Sequence, residues 1–244
     1  MKYLKSEILT TKRTMVNKLV LIAPFCVAFF AVVAGGIASF QYSGLYWWYS
    51  FILESVIAIL CGLSYQKEQH AGKFYSVRSL PISLEKFEFS KVIVLVEKLL
   101  IACLFLALLL SSAYLWAPVA AVYSISKIII GCCFIILASI WEVPLCFLLM
   151  RKIGMLVTII VNSLIGIFTI ALIGATSLWF IWPYCWAAKI GEYFMQIAIS
   201  GTFMKTADIN IIGTFVVLMI SILLFLVLSV IDSKIFAQYE GGEN

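Results

Sequence analysis

Groups able to do chemistry are few in this chain, and they do not converge. The single histidine, His70, lies in QKEQHAGKFYSVRSLPIS, residues 66–83, and reads as a solvated loop residue. Seven cysteines show neither a CxxC pair nor Cys/His ligand spacing. Cys26, Cys61, Cys103, Cys132, Cys133 and Cys146 fall inside apolar runs, where cysteine behaves as a small hydrophobe, and only Cys185 lies in a connecting segment. Two carboxylates interrupt apolar sequence: Glu54 in YSFILESVIAIL and Glu142 in IWEVPLCFLL. A carboxylate in lipid is costly, so both should face protein or water, or carry a proton. Glu54 could receive a cationic part of a substrate or lock helix to helix. Glu142 reads as structural, because Pro144 leaves a backbone carbonyl free and implies close local packing. Glu97 sits beside Lys98 at the end of an apolar run, where both can snorkel to the interface. No GxxxxGK[ST] phosphate loop, HExxH or GxSxG occurs, and no base is placed for the many serines. These features argue against an enzyme, a metal site or a bound nucleotide in this chain.

The elements that carry these residues are set by composition. Of 244 residues, 64% are apolar and 12% charged, with a mean hydropathy of +1.11, which leaves too few polar residues to cover a soluble fold of this size. The apolar residues come in runs long enough to cross a bilayer. We read an all-α membrane protein with six spans at 19–40, 45–65, 92–114, 128–150, 153–178 and 211–231, preceded by an interfacial segment at 1–18 and followed by a tail at 232–244. With the N-terminus inside, the inner segments hold 14 of the 17 Lys and Arg; only Lys127, Lys189 and Lys205 lie outside. Both termini and the 66–91 segment are therefore expected in the cytoplasm. The net charge of +5 clusters beside spans, which fits topology better than nucleic-acid binding.

Tryptophan supports the same orientation. Trp47, Trp48, Trp116, Trp179, Trp182 and Trp186 fall at the predicted outer boundary, and only Trp141 lies mid-span. Such a belt anchors a protein at the interface, or offers an apolar platform to a substrate in the outer leaflet. In residues 1–18, Leu4, Ile8, Met15 and Leu19 share one helical side and basic and polar residues the other, as in a helix lying flat among headgroups. Residues 179–210 form a long connection whose middle, Ala187–Ser200, is apolar but too short to span. Punctuated by Pro183, Gly191 and Gly201, they predict an interfacial or re-entrant helix pair.

The 66–91 connection is longer than a hairpin needs. Gln66–Lys73 is polar and helix-like; Phe74, Val77 and Leu80 recur at helical spacing; Pro81 follows, and Ser83 is placed as an N-cap with Glu85 in the first turn. An apolar stub with a charged rim suits a partner's groove. A solvated loop resting on the membrane fits the same residues.

With the stretches YWWYSFILE…GLSYQKEQHAGKFYSVRSLPIS and WEVPLCFLLMRKIG, the chain resembles the permease subunits of type 2 ABC exporters, and among them the MutE/EpiE-like lantibiotic immunity permeases of Gram-positive bacteria. The resemblance covers nearly the whole chain in topology. It implies an N-terminal elbow helix, a cytoplasmic coupling helix and an outer re-entrant segment. It further implies two copies of a separate ABC ATPase, carrying the ATP and Mg that this chain does not bind, and a second homologous permease subunit. Glu68, Lys73, Phe74, Val77, Arg78, Leu80 and Pro81 would meet the ATPase, while Glu54, Trp47, Trp48, Trp182 and Trp186 would meet a peptide antibiotic taken from the bilayer of the bacterial cell membrane and expelled. Glu54 departs from the pattern, since a proline or apolar residue is expected there. A bacitracin-type peptide or a lipid as substrate, a membrane enzyme or regulatory subunit, and a self-contained channel or secondary transporter are the competing readings.

Overall fold

The structure, a computed structural model, describes residues 2–11, 14–70, 83–118 and 121–238. Among these residues there is no strand. A short N-terminal helix, Lys2–Thr11, precedes six helices long and apolar enough to cross a bilayer: Met15–Gly35, Ile37–His70, Leu84–Trp116, Ile125–Ile153, Met155–Ile173 and Ile211–Gln238, the first to sixth spans. This is the build of a multi-pass membrane protein. The second and fourth spans are the most enclosed, and the fifth and sixth the least. The second packs on the first, fourth and fifth; the third packs on the first, fourth and sixth. Outward faces are apolar, with Phe29, Leu115, Leu172 and Ile212 among the most exposed side chains, as expected where lipid rather than water is the solvent.

Several boundaries differ from those expected, each for a local reason. The first turn of the chain falls at Gly36 rather than near residues 41–44, so the second span begins at Ile37. That span is not uniform: Trp48–Ile52 forms a π-helical turn between the helices Phe40–Trp47 and Leu53–His70. The third span starts at Leu84, two turns before its apolar run. Ser83 caps it, its hydroxyl accepting from the Lys86 amide; Glu88 and Lys91 face inward, while Glu85 and Lys86 of the first turn stay exposed. The fourth span is two helices, Ile125–Ser139 and Glu142–Ile153, interrupted just ahead of Pro144, which has no amide proton to continue the ladder. Only Gly154 separates the fourth span from the fifth, at φ +82°, a conformation that L side chains rarely adopt. The sixth helix runs past Ile231 to Gln238, which places Asp232 inside the bundle.

The two ends of the bundle are unlike. One, the basic end, gathers the N-terminal helix, the start of the third span and the ends of the second, fourth and sixth. The other, the aromatic end, is closed by residues 174–210. The predicted helix pair there is half right. Trp186–Tyr193 is a helix, but it is packed into the bundle against the fourth and sixth spans, and the following residues form a turn with one bridge, Ile197 to Phe203, instead of a second helix. Gln196 at φ +59° and Gly201 at φ +85° set that turn's backbone. Its polar groups are satisfied by the Ala198 amide on the Thr202 carbonyl at 2.8 Å, the Met204 amide on the Gln196 carbonyl at 2.8 Å and Lys127 Nζ on Gln196 Oε1 at 2.7 Å. Tyr123 joins this cap to the spans: its amide donates to Gln41 Oε1 at 2.9 Å and its hydroxyl to the Met195 carbonyl at 2.7 Å. Burial raises the Tyr123 pKa far above the usual tyrosine range, so it remains a neutral donor.

Candidate functional site

Three features set the molecule apart from a plain apolar bundle: two adjoining cavities at the aromatic end, a buried polar cluster beneath them, and a buried ion network at the basic end.

The cavities measure about 670 and 720 Å3 and share Tyr46, Trp47 and Ser200. The first adds hydroxyls, Tyr42, Ser43 and Thr202, and one cation, Lys205; the second is walled by Phe51, Ile167 and Ile170. Together they offer an aromatic surface graded from polar to apolar, a match for an amphipathic ligand. Of the four tryptophans expected to meet a substrate, Trp47 lines both cavities and Trp182 is exposed. Trp48 and Trp186 are enclosed by protein, so neither presents a surface. Trp186 instead packs edge-on against Trp141 at 6.1 Å, which in turn packs against Tyr184 at 4.9 Å.

Glu54 sits one helical turn below Ser50 of the cavity wall, and it is 2% exposed. Its Oε2 has no hydrogen-bond partner and rests on Gly166 of the fifth span, where an added Cβ would lie 1.7 Å away. Asn162 joins the neighbours: its Nδ2 donates to the Glu54 carbonyl at 3.0 Å and to Glu142 Oε2 at 3.2 Å, and its Oδ1 accepts from the Tyr184 hydroxyl at 2.7 Å. Glu142 opens the second half of the fourth span, where the positive end of the helix dipole favours a carboxylate. Burial raises the Tyr184 pKa far above its ordinary value, so it donates as a neutral phenol. Burial also pushes the Cys185 thiol up to about 11, and as a thiol it bonds the Thr169 carbonyl at 3.5 Å. The cluster thus ties the second, fourth and fifth spans together through polar atoms that lipid could not satisfy.

At the basic end the buried charges are paired. Lys91 Nζ lies 2.6 Å from Glu68 Oε2 and 2.7 Å from Glu88 Oε2. The Arg151 guanidinium bonds Glu88 Oε1 and, at 2.5 Å, Asp232 Oδ1. Phe236 lies beneath both cations, at 5.0 Å from Lys91 and 5.1 Å from Arg151. Glu68, Glu88 and Asp232 against Lys91 and Arg151 make three carboxylates and two cations, all enclosed. A fifth pair, Glu7 with Lys67 at 3.3 Å, adds the N-terminal helix. The ends of the second, third, fourth and sixth spans are therefore joined by one network. Glu68, expected at a partner's surface, is turned inward to Lys91. Lys73, Phe74, Val77, Arg78, Leu80 and Pro81 lie outside the described residues.

No family model, curated protein or solved structure matches this chain. The site rests on its geometry.

Sequence reasoning placed Glu54, Glu142 and Trp47 but missed Asn162, Gly166 and Tyr184. A signal was present: Thr158, Asn162, Gly166 and Thr169 recur at helical spacing as the small and polar stripe of the fifth span, and all four face inward. It also missed Glu88, Arg151 and Asp232 as a unit, because charged residues at the end of an apolar run read equally well as a solvated flank.

Two stability changes follow. Gly166→Ala should cost about 1–3 kcal/mol from overpacking on the Glu54 carboxylate, and Glu54→Ala in the same chain should recover most of it. Thermal unfolding in detergent measures both, and additive losses would disprove the contact. Arg151→Met should cost about 3–5 kcal/mol by leaving Asp232 buried without its cation and Glu88 with Lys91 alone. Asp232→Asn added to Arg151→Met should be less harmful than the sum of the two single changes.

Proposed function

We propose that this chain is the membrane-embedded permease subunit of an exporter that a separate ATPase drives, and that its cargo is an amphipathic antimicrobial peptide of the lantibiotic kind. The observation that carries the reading is the ion network. It brackets residues 71–82 on both sides, through Lys67 and Glu68 before them and Glu88 and Lys91 after them, and ties that connection to the fourth and sixth spans. A push on the connection would therefore reach four helices at once rather than bend one loop. ATP and Mg would be bound by the partner, in two copies, and a second homologous permease would complete the membrane part. The amphipathic 74–80 stretch would be the contact with the ATPase, and Glu68 the anchor behind it.

At the far end, the cavities around Trp47 have the size and graded polarity to take the apolar face and backbone of a peptide entering from the bilayer. Glu54 is shut off from them by one turn. Parting the second and fifth spans would open it, and the π-helical turn at Trp48–Ile52 lies at the place where the second span must give. A cationic residue of the peptide would then meet a carboxylate whose Oε2 is otherwise without a partner.

In the native cell, loss of the chain should raise lantibiotic sensitivity, and the triple change Lys73→Ala, Phe74→Ala and Arg78→Ala should fail to restore resistance while accumulating normally. A photo-crosslinker at Phe74 should trap a nucleotide-binding subunit. Full resistance from the triple variant, or transport by the chain alone in vesicles without ATP, would overturn the proposal. Orientation is checked separately: Lys205→Cys should react with an impermeant maleimide on intact cells, and Ser83→Cys only after permeabilisation.

A further inference from the structure

A cavity of about 430 Å3 lies at the basic end between the N-terminal helix, the start of the third span and the end of the sixth. It is distinct from the ion network and from the cavities at the aromatic end. Its lining changes character along the helix axes. Lys86 stands in the first turn of the third span, and Ile93 lies seven residues deeper, about 10 Å at the helical rise. On the sixth span, which runs the other way, Lys234 is nearer the end and Val230 one turn deeper. Phe89 and Leu4 complete an apolar wall. Cations at the mouth of an apolar slot are the profile of one phospholipid, with phosphate outermost and an acyl chain inward.

Two observations point to an occupant. Lys86 and Lys234 are exposed and make no ion pair among the described residues, whereas Lys91 and Arg151 of the same end are fully paired. Against them stands only Glu85, so the lining keeps one net positive charge. Further, Ser233 is 6% exposed, it lines the cavity, and its Oγ has no hydrogen-bond partner. A buried hydroxyl calls for one.

We propose that this cavity binds a single anionic phospholipid, its phosphate between Lys86 and Lys234, the Ser233 hydroxyl donating to a phosphate or ester oxygen, and one acyl chain along Phe89, Ile93 and Val230 beneath Leu4. The lipid completes the seam between the N-terminal helix and the bundle. The headgroup as a whole must be anionic to gain from the net positive lining; choline cancels the phosphate charge of phosphatidylcholine and glycerol does not, which sets phosphatidylglycerol above it.

The test is native mass spectrometry and thermal unfolding of the full chain in detergent, with phosphatidylglycerol or phosphatidylcholine added. One phosphatidylglycerol should be retained per chain and should raise the unfolding temperature more than phosphatidylcholine does. Lys86→Ala with Lys234→Ala should weaken retention about tenfold or more, and Ser233→Ala should weaken it by a smaller factor. Lys18→Ala with Lys152→Ala, two exposed lysines outside the cavity, should leave it unchanged. Equal retention of the two lipids, wild-type retention by the Lys86/Lys234 variant, or an equal loss in the Lys18/Lys152 control would overturn the proposal. The last result would assign the effect to general surface attraction.

Discussion

Everything at the basic end depends on Arg151 and Lys91 lying between three buried carboxylates. Charges held out of water interact strongly, yet their desolvation offsets much of that gain, so such a network adds little net stability by being present. What it adds is consequence: shifting any one helix end leaves a charge without its partner. Glu68 belongs to the second span, Glu88 and Lys91 to the third, Arg151 to the fourth and Asp232 to the sixth. These four ends are therefore bound to move together or not at all. Apolar contacts alone would not achieve this, because lipid tails compete for a Leu or Ile surface as well as another helix does.

The aromatic end is built on a different balance. There the linking groups are mostly neutral: an amide, a phenol, a thiol and backbone carbonyls surround Glu54 and Glu142. Neutral hydrogen bonds are individually modest within a bilayer. The fifth span, which supplies Asn162 and Gly166, is also the least enclosed of the six. A helix held by a narrow polar stripe and otherwise facing lipid can separate from its neighbours at less cost than one held by buried ions. The two ends are thus held by different chemistry, buried ion pairs at one and mostly neutral hydrogen bonds at the other.

The tryptophans illustrate why interfacial chemistry and packing can share one residue type. Trp47, Trp116 and Trp182 retain exposed surface, whereas Trp48, Trp141 and Trp186 are enclosed. Sequence position placed Trp48 and Trp186 in the belt. The folding of Trp186–Tyr193 into the bundle, which brings Gly191 onto the Tyr49 ring, is what removed them from it. Only a glycine lets that helix approach so closely, since a Cβ at Gly191 would fall 2.6 Å from the ring.

Read alone, the sequence determined the number of spans and their approximate extents, because about 20 apolar residues have no other stable place than a bilayer. It also determined the asymmetry of charge between the ends and the presence of two carboxylates needing protein partners. Ser83 as a helix cap, and Pro144 as the residue that frees a backbone carbonyl, were legible for the same reason: their chemistry acts on neighbouring backbone; that the fourth span is two helices was not. The tertiary structure decided whatever required contact between distant segments. Glu88, Arg151 and Asp232 are 63 and 81 residues apart in their pairings, and a charge at the end of an apolar run looks the same whether it meets water or a partner. Asn162 joining Glu142 to Glu54, and the inward course of residues 186–193, rest likewise on which helix faces come together, and periodicity within one helix does not say what lies opposite.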